Sequence, residues 1–400
     1  MTLGLDAYLT DWLNLIFRWL HVIAAMAWIG TSFYFVFLDN ALRPPESARD
    51  REAGATGELW AVHGGGFYHV QKHPVSPARL PEPLHWFKWE AYTTWLSGFA
   101  LLVVLYYFHA DTYLIDPSVA DLSTGEAVAI SVAGLALAWV VYDVLCRAVK
   151  SDIVVGAAIV GLSALTAWAA GQLFSGHGAF IQVGAMLGTI MAANVLFVII
   201  PAHWELIHAK QEGRPPRLER GLEAKRRSVH NNYLTLPVLL TMLSGHFPFL
   251  YGREHAWLVL IALMLIGAWV RHYFNLRRRG RTVIAIPVTA ALATLALAWA
   301  IQPDDTKPAA GAEPVTGAQA QAIVERRCVT CHSASPTNDQ FKTAPAGVVF
   351  DSPQEIAQRA EQIRALAVDS TAMPLGNVTG MTTAEREELG AWIAAGAPVQ

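Results

Sequence analysis

Eight apolar stretches, each long enough for a membrane-crossing helix, constrain this chain more than any other feature: Trp12–Phe37, Trp89–Phe108, Ala127–Leu145, Ile153–Phe174, Phe180–Ile200, Tyr233–Leu250, Ala256–Phe274 and Val283–Ile301. About 20 helical residues cross about 30 Å of hydrocarbon, and a helix satisfies its own backbone there. The expected fold class is therefore all-α, built on an eight-span transmembrane helical bundle. Composition supports this: 54% of residues are hydrophobic and only 15% are charged. Gaps of five to seven residues separate the third span from the fourth, the fourth from the fifth, and the sixth from the seventh, which predicts tight antiparallel hairpins. The first span lacks a basic leader and exceeds the apolar core of a signal peptide, so it is expected to be retained.

Lys and Arg set the orientation. Arg43, Arg49, Arg51, Lys72, Arg79 and Lys88 follow span one; Arg147 and Lys150 follow span three. Lys210, Arg214, Arg217, Arg220, Lys225, Arg226 and Arg227 follow span five, and Arg277, Arg278, Arg279 and Arg281 follow span seven. The alternate loops hold almost nothing basic. By the positive-inside rule both termini lie outside the cytoplasm.

Near the C-terminus, Cys328-Val-Thr-Cys331-His332 has the spacing of a c-type haem attachment site. Two thiols on one helical turn can add to the haem vinyl groups, and the adjacent His332 is then aimed at the iron. A zinc or thioredoxin half-site would need a second cysteine pair or a βαβ pattern, and neither is present. No His follows His332, so the sixth ligand falls to Met373 or Met381. Met373, in a Met-Pro loop, is preferred over Met381, which precedes the capping box Thr382-x-x-Glu385. Residues 316–327 and 383–395 are expected to form two end helices packed around Trp392. The organisation is therefore a membrane domain (1–301), a Pro/Ala/Asp-rich linker (302–314) and a small class I cytochrome c domain (315–400). Haem c on an outer C-terminus agrees with the charge bias.

The membrane part resembles a known family. Arg18-Trp-Leu-His21 through Trp28-Ile-Gly30, Trp60-Ala-Val-His63-Gly-Gly-Gly-Phe67-Tyr68, His85-Trp-Phe-Lys88-Trp-Glu90-Ala-Tyr92 and His230-Asn-Asn-Tyr233-Leu-Thr-Leu-Pro237 look like the bacterial membrane-bound urate oxidases (urate hydroxylases). That family joins eight spans to a C-terminal cytochrome c, so the likeness covers essentially the whole chain. It implies a multi-pass protein of the bacterial inner membrane, with both termini and the cytochrome domain periplasmic. The implied reaction is oxidation of urate to 5-hydroxyisourate. Electrons would pass through the cytochrome to a terminal oxidase or a soluble cytochrome, and no peroxide would form. No nucleic-acid partner is expected.

The residues alone say less. No GxGxxG follows a strand, and there is no copper or iron–sulfur cysteine set. His63-Gly-Gly-Gly-Phe67-Tyr68 lacks the GK[ST] ending of a phosphate loop. Its glycines either let backbone approach a planar ligand or form a plain connector. The catalytic candidates are His63 as base, Tyr68 and Lys72 as binding partners, and Glu90 and His230. Lys72 is equally one more positive-inside charge; His69 and His73 lie near it.

Histidine depth motivates a second cofactor. His21 lies inside span one and His246 near the outer end of span six. His109, His177 and His255 fall at outer ends, while His63, His85, His203, His208, His230 and His272 gather on the cytoplasmic side. A cytoplasmic-side site would be separated from haem c by most of the ~30 Å core. One or more b-type haems are the expected bridge, with His21 the foremost ligand, His246 and His203 as further cofactor candidates, and Arg18 placed for a propionate. The plainer alternative is that His21 hydrogen-bonds a neighbouring helix. Asp143 is expected to pair with Arg147 at i,i+4, His203 and Glu205 could orient a base, and Cys146 reads as packing. Two rival functions stand beside urate oxidation: a haem-b quinol dehydrogenase, and a non-enzymatic membrane-anchored electron-transfer cytochrome. For the latter, eight spans are more than an anchor needs.

Overall fold

The structure, a computed structural model, describes residues 7–74, 77, 79–302 and 315–399. All eight apolar stretches are helical. They correspond to α1 (Ala7–Ala41); α3 (Trp89–Leu101), which runs on as π-helical turns over Leu102–Tyr107; α5 (Thr124–Ala148); α6 (Asp152–Gly171); α7 (Gly176–Asn194); α9 (Leu218–Ser244); α11 (Ala256–Arg278); and α12 (Ala285–Ala300). Shorter pieces are α2 (Ala48–Glu52), α4 (Ala110–Tyr113), α8 (Ile200–Gln211) and α10 (Pro248–Tyr251). Five helices, counting α7 and α8 as one run, are long and apolar enough to cross a membrane, and α12 is a shorter apolar helix.

Local chemistry explains the boundaries. Ser123, Ser151 and Ser175 cap α5, α6 and α7, each accepting a hydrogen bond from a first-turn N–H. At α5 Glu126 closes a capping box, which satisfies donors that would otherwise be orphaned. Pro201 has no N–H to give to the carbonyl of Phe197, and the helix loosens into π turns over Val195–Ile199 before α8.

The expectation of an all-α chain needs one correction. Strands β1 (Gly57–His63) and β2 (Gly66–Lys72) form an antiparallel hairpin, pairing Trp60 with His69 and His63 with Gly66. Gly64 and Gly65 both take positive φ, 57° and 82°, the requirement of a two-residue turn that matches strand twist. The triple glycine is thus a hairpin turn. A second correction concerns span six: α9 ends at Ser244, and α10 occupies the connection to α11.

The main core is formed by α5, α6, α7, α9 and α11, with Val183, Leu187, Ile190, Val155 and Tyr142 fully enclosed. Outward faces of α1, α5, α6 and α12 present large exposed side chains such as Trp19, Leu137, Ile153, Leu165 and Leu295. The basic loops gather at one end, where Arg279 donates to Asn40 and Lys72 and Lys225 pair with Asp39.

Beyond residues 303–314, which lie outside the described residues and include nearly all of the expected linker, stand α13 (Gly317–Arg327), α14 (Pro353–Gln358), α15 (Ala360–Ile363) with π turns over Arg364–Val368, and α16 (Thr383–Ala394). Helices α13 and α16 pack together around Trp392, whose Nε1 donates to the Pro398 carbonyl at 2.9 Å. The Thr382/Glu385 capping box is present. This C-terminal unit docks at the end opposite the basic loops. Thr371 N donates to Gly252 O at 2.8 Å. Gly376 is packed so closely that a Cβ would lie 2.6 Å from the Thr112 carbonyl oxygen.

Candidate functional site

In the C-terminal unit Cys328 caps α13, and a tight turn follows in which Cys331 and His332 both donate from their N–H to the Cys328 carbonyl, at 3.2 and 2.9 Å. That turn brings the cysteines and His332 into one short segment. His332 Nδ1 donates to the Val348 carbonyl at 3.1 Å, and the ring leans on Phe350. The opposite nitrogen, Nε2, has no hydrogen-bond partner among the described residues. An imidazole fixed this way through Nδ1 presents a free Nε2 lone pair, the arrangement a metal ligand needs. Burial holds the imidazole pKa down, partly opposed by the Val348 carbonyl, and so favours the neutral, ligating form. Burial likewise pushes the Cys328 thiol up to about 12.

The two methionines are treated differently. Met381 is 4% exposed in the core between α13 and α16. Met373 is pinned by its backbone, its N–H to Leu366 O and its carbonyl accepting from Arg386, while its side chain lies at the edge of that core. These donors suit a haem held by Cys328, Cys331, His332 and Met373.

A tyrosine–histidine cluster lies under this unit. Tyr106 OH is 3.3 Å from His177 Nε2, and Tyr251 and Tyr113 surround the same imidazole. The charge of Arg18 reaches His177, Tyr106 and Tyr113, and Tyr113 is also within electrostatic reach of Cys331. His21 meets the plainer expectation: its Nδ1 donates to Thr94 O at 2.9 Å on α3. Its ring packs on Gly98, where a Cβ would lie 2.8 Å from the ring carbon. Its Nε2 has no hydrogen-bond partner among the described residues. Arg18 Nε donates to Asn14 at 3.0 Å, and His246 is exposed and in electrostatic reach of His177.

The catalytic candidates are dispersed. His63 and Tyr68 are exposed on the hairpin, Lys72 is ion-paired with Asp39, and Glu90 opens α3 with Oε2 buried and unpartnered. His230 is buried in α9, its Nδ1 2.9 Å from Tyr142 OH. No hydrogen bond or ion pair joins any two of these five. His69 stacks on Trp60 and pairs with Glu58 at 2.8 Å. Glu205 does not orient His203: its carboxylate is taken by Arg214 at 2.7 Å and by Arg217 N–H, while His203 has only a loose ring contact with Trp86.

The structure reveals a polar interior that the sequence reading missed. Arg227, fully buried, pairs with Asp143 at 2.8 Å, bonds Asn194 and lies over the Tyr142 ring. Asn194 in turn bonds Tyr142 and Asn231. Further along α9 and α11, Arg271 and Asn275 both donate to Asn232 Oδ1 at 3.0 Å. A signal did exist: Arg271 sits inside a stretch otherwise apolar enough to span lipid, where ionisable groups are functional candidates by default.

Comparison with known proteins adds one finding. A family model described as urate oxidase N-terminal matches residues 7–302. No curated protein matches, and no solved structure matches.

Proposed function

The chain belongs to the urate oxidase N-terminal family, and from that premise we propose that it is a membrane-embedded urate oxidase with a fused cytochrome c as electron exit. In this reading the helices covering the eight apolar stretches span the bilayer of a bacterial inner membrane. The basic loops face the cytoplasm and residues 315–400 form a periplasmic cytochrome domain. The family match across the whole apolar part carries the urate assignment.

From the neutral purine, oxidation removes two electrons and two protons overall, while a water oxygen forms the new bond at C5 to give 5-hydroxyisourate. Cys328 and Cys331 would hold a haem covalently with His332 and Met373 as ligands, and that group would supply a one-electron acceptor of raised potential. The protein's own groups do the rest. The hydrogen bond from His332 Nδ1 to Val348 leaves Nε2 as the nitrogen that would serve as ligand. Arg386 holds the Met373 loop in place. His63 and Tyr68, exposed at the basic end, are assigned to meeting the hydrated anion as it arrives. His21, with a free Nε2, and His246 would hold a b-type haem, with Arg18 nearby for a propionate.

The acceptor assignment predicts a particular electron balance. Membranes carrying the protein should consume urate and oxygen without releasing hydrogen peroxide. The Cys328→Ser/Cys331→Ser variant, matched for protein level, should lose urate consumption by at least about 100-fold, since no acceptor remains. Peroxide formed in proportion to the urate consumed, or full activity in the double variant, would remove the cytochrome from the reaction.

A further inference from the structure

Two buried arginines occupy this helical bundle, and only one is neutralised. Arg227 has Asp143 and Glu223 as ion-pair partners. Arg271, 7% exposed, pairs with no carboxylate among the described residues; the ionisable groups in electrostatic reach of it are Arg278, another cation, and Tyr233. A cation held largely away from water without a counter-charge is unfavourable. Such a group needs a reason that packing does not supply.

Its surroundings point to a ligand. The guanidinium lies on the face of Phe33, its central carbon 3.7 Å from the ring centroid, which fixes its plane. Nε donates to Asn232 Oδ1, and the two terminal nitrogens have no acceptor among the described residues. Beside them, Asn232 Nδ2 is a buried donor without a partner and Asn275 Oδ1 a buried acceptor without one. Asn232 is 1% exposed and Asn275 9%. A planar fork of free donors, an adjacent free donor and an adjacent free acceptor form the complement of a flat monoanion that carries both carbonyl oxygens and N–H groups.

We infer that Arg271, Asn232 and Asn275, braced by Phe33, form the binding site for the urate anion. This rests on the urate reading above and adds the place where the substrate is held. The anion supplies the missing counter-charge, and the two amides read its edge.

The test uses purified full-length holoprotein and two variants. Arg271→Gln should raise the KM for urate about 10- to 100-fold, the usual range for losing a charged hydrogen-bonding partner. Arg271→Lys should recover only part of that, because it keeps the charge and loses the fork. Asn275→Asp keeps the side-chain size, replaces the donor to Asn232 Oδ1 by a carboxylate and adds a negative charge one helical turn from Arg271; in protein that retains its haem content and Tm it should weaken binding of radiolabelled urate in equilibrium dialysis at least about 10-fold. Wild-type urate affinity in such an Asn275→Asp protein would overturn the site. If wild-type protein neither binds nor oxidises urate, it is the urate reading that fails, and the site falls with it.

Discussion

Asp143 shows how one residue serves two partners. The i,i+4 ion pair with Arg147 is present at 2.7 Å, as the sequence spacing predicts. Its other oxygen holds Arg227, a pairing across 84 residues that no local pattern encodes. The first pair is largely exposed on the arginine side and contributes little. The second keeps a fully buried guanidinium neutralised. Asp143→Ala removes the closer of the two carboxylates on Arg227 and leaves Glu223, so it should destabilise the protein by about 1.5–3 kcal/mol, read as a fall in Tm, whereas Arg147→Ala should change it by less than about 1 kcal/mol. The grouping of Cys328, Cys331 and His332 in one tight turn was legible because the three residues are contiguous in sequence. The interior network was not, because Asn194, Arg227, Asn232 and Arg271 lie on different helices and their meaning arises only when those helices pack.

At the scale of elements, each apolar stretch falls on a helix, though α9 starts at Leu218, fifteen residues before the expected span, in a charged amphipathic stretch that apolar length does not mark; serine caps mark where three helices begin. The hairpin is hard to read from sequence because its seven-residue strands lie in a long polar connection and a triple glycine suits a ligand loop or a plain connector equally. Here Glu58 ties the structure together: its carboxylate accepts from Glu46 N–H at 2.8 Å and is 2.8 Å from His69 Nε2. Chiefly the Glu46 N–H, then His69, hold the carboxyl below its ordinary 4.5. A carboxylate with a depressed folded-state pKa contributes stability that is complete above about 4.5 and is lost as pH falls through the folded value. Amide hydrogen exchange in residues 57–72, corrected for intrinsic rates, should therefore accelerate as pH drops below about 4.5. In Glu58→Gln, protection should be lower at neutral pH and flat across the same acid range.

The whole molecule presents two distinct ends. The C-terminal unit packs on α4 and α10 through Gly376 and Thr371, directly over the Tyr106–Tyr113–His177 cluster. The basic loops and the hairpin lie at the other end, and Arg271 sits within the bundle between them. In the proposed orientation, substrate chemistry lies inside the bundle and electrons leave toward the periplasmic haem. The most direct test is anaerobic: purified, oxidised holoprotein is mixed with urate and the α-band of haem c is followed. Growth of the reduced band with urate as sole donor, to the extent reached with dithionite, is the predicted result. A haem c that stays oxidised with urate but is reduced by a quinol would contradict the account and make the chain a quinol dehydrogenase.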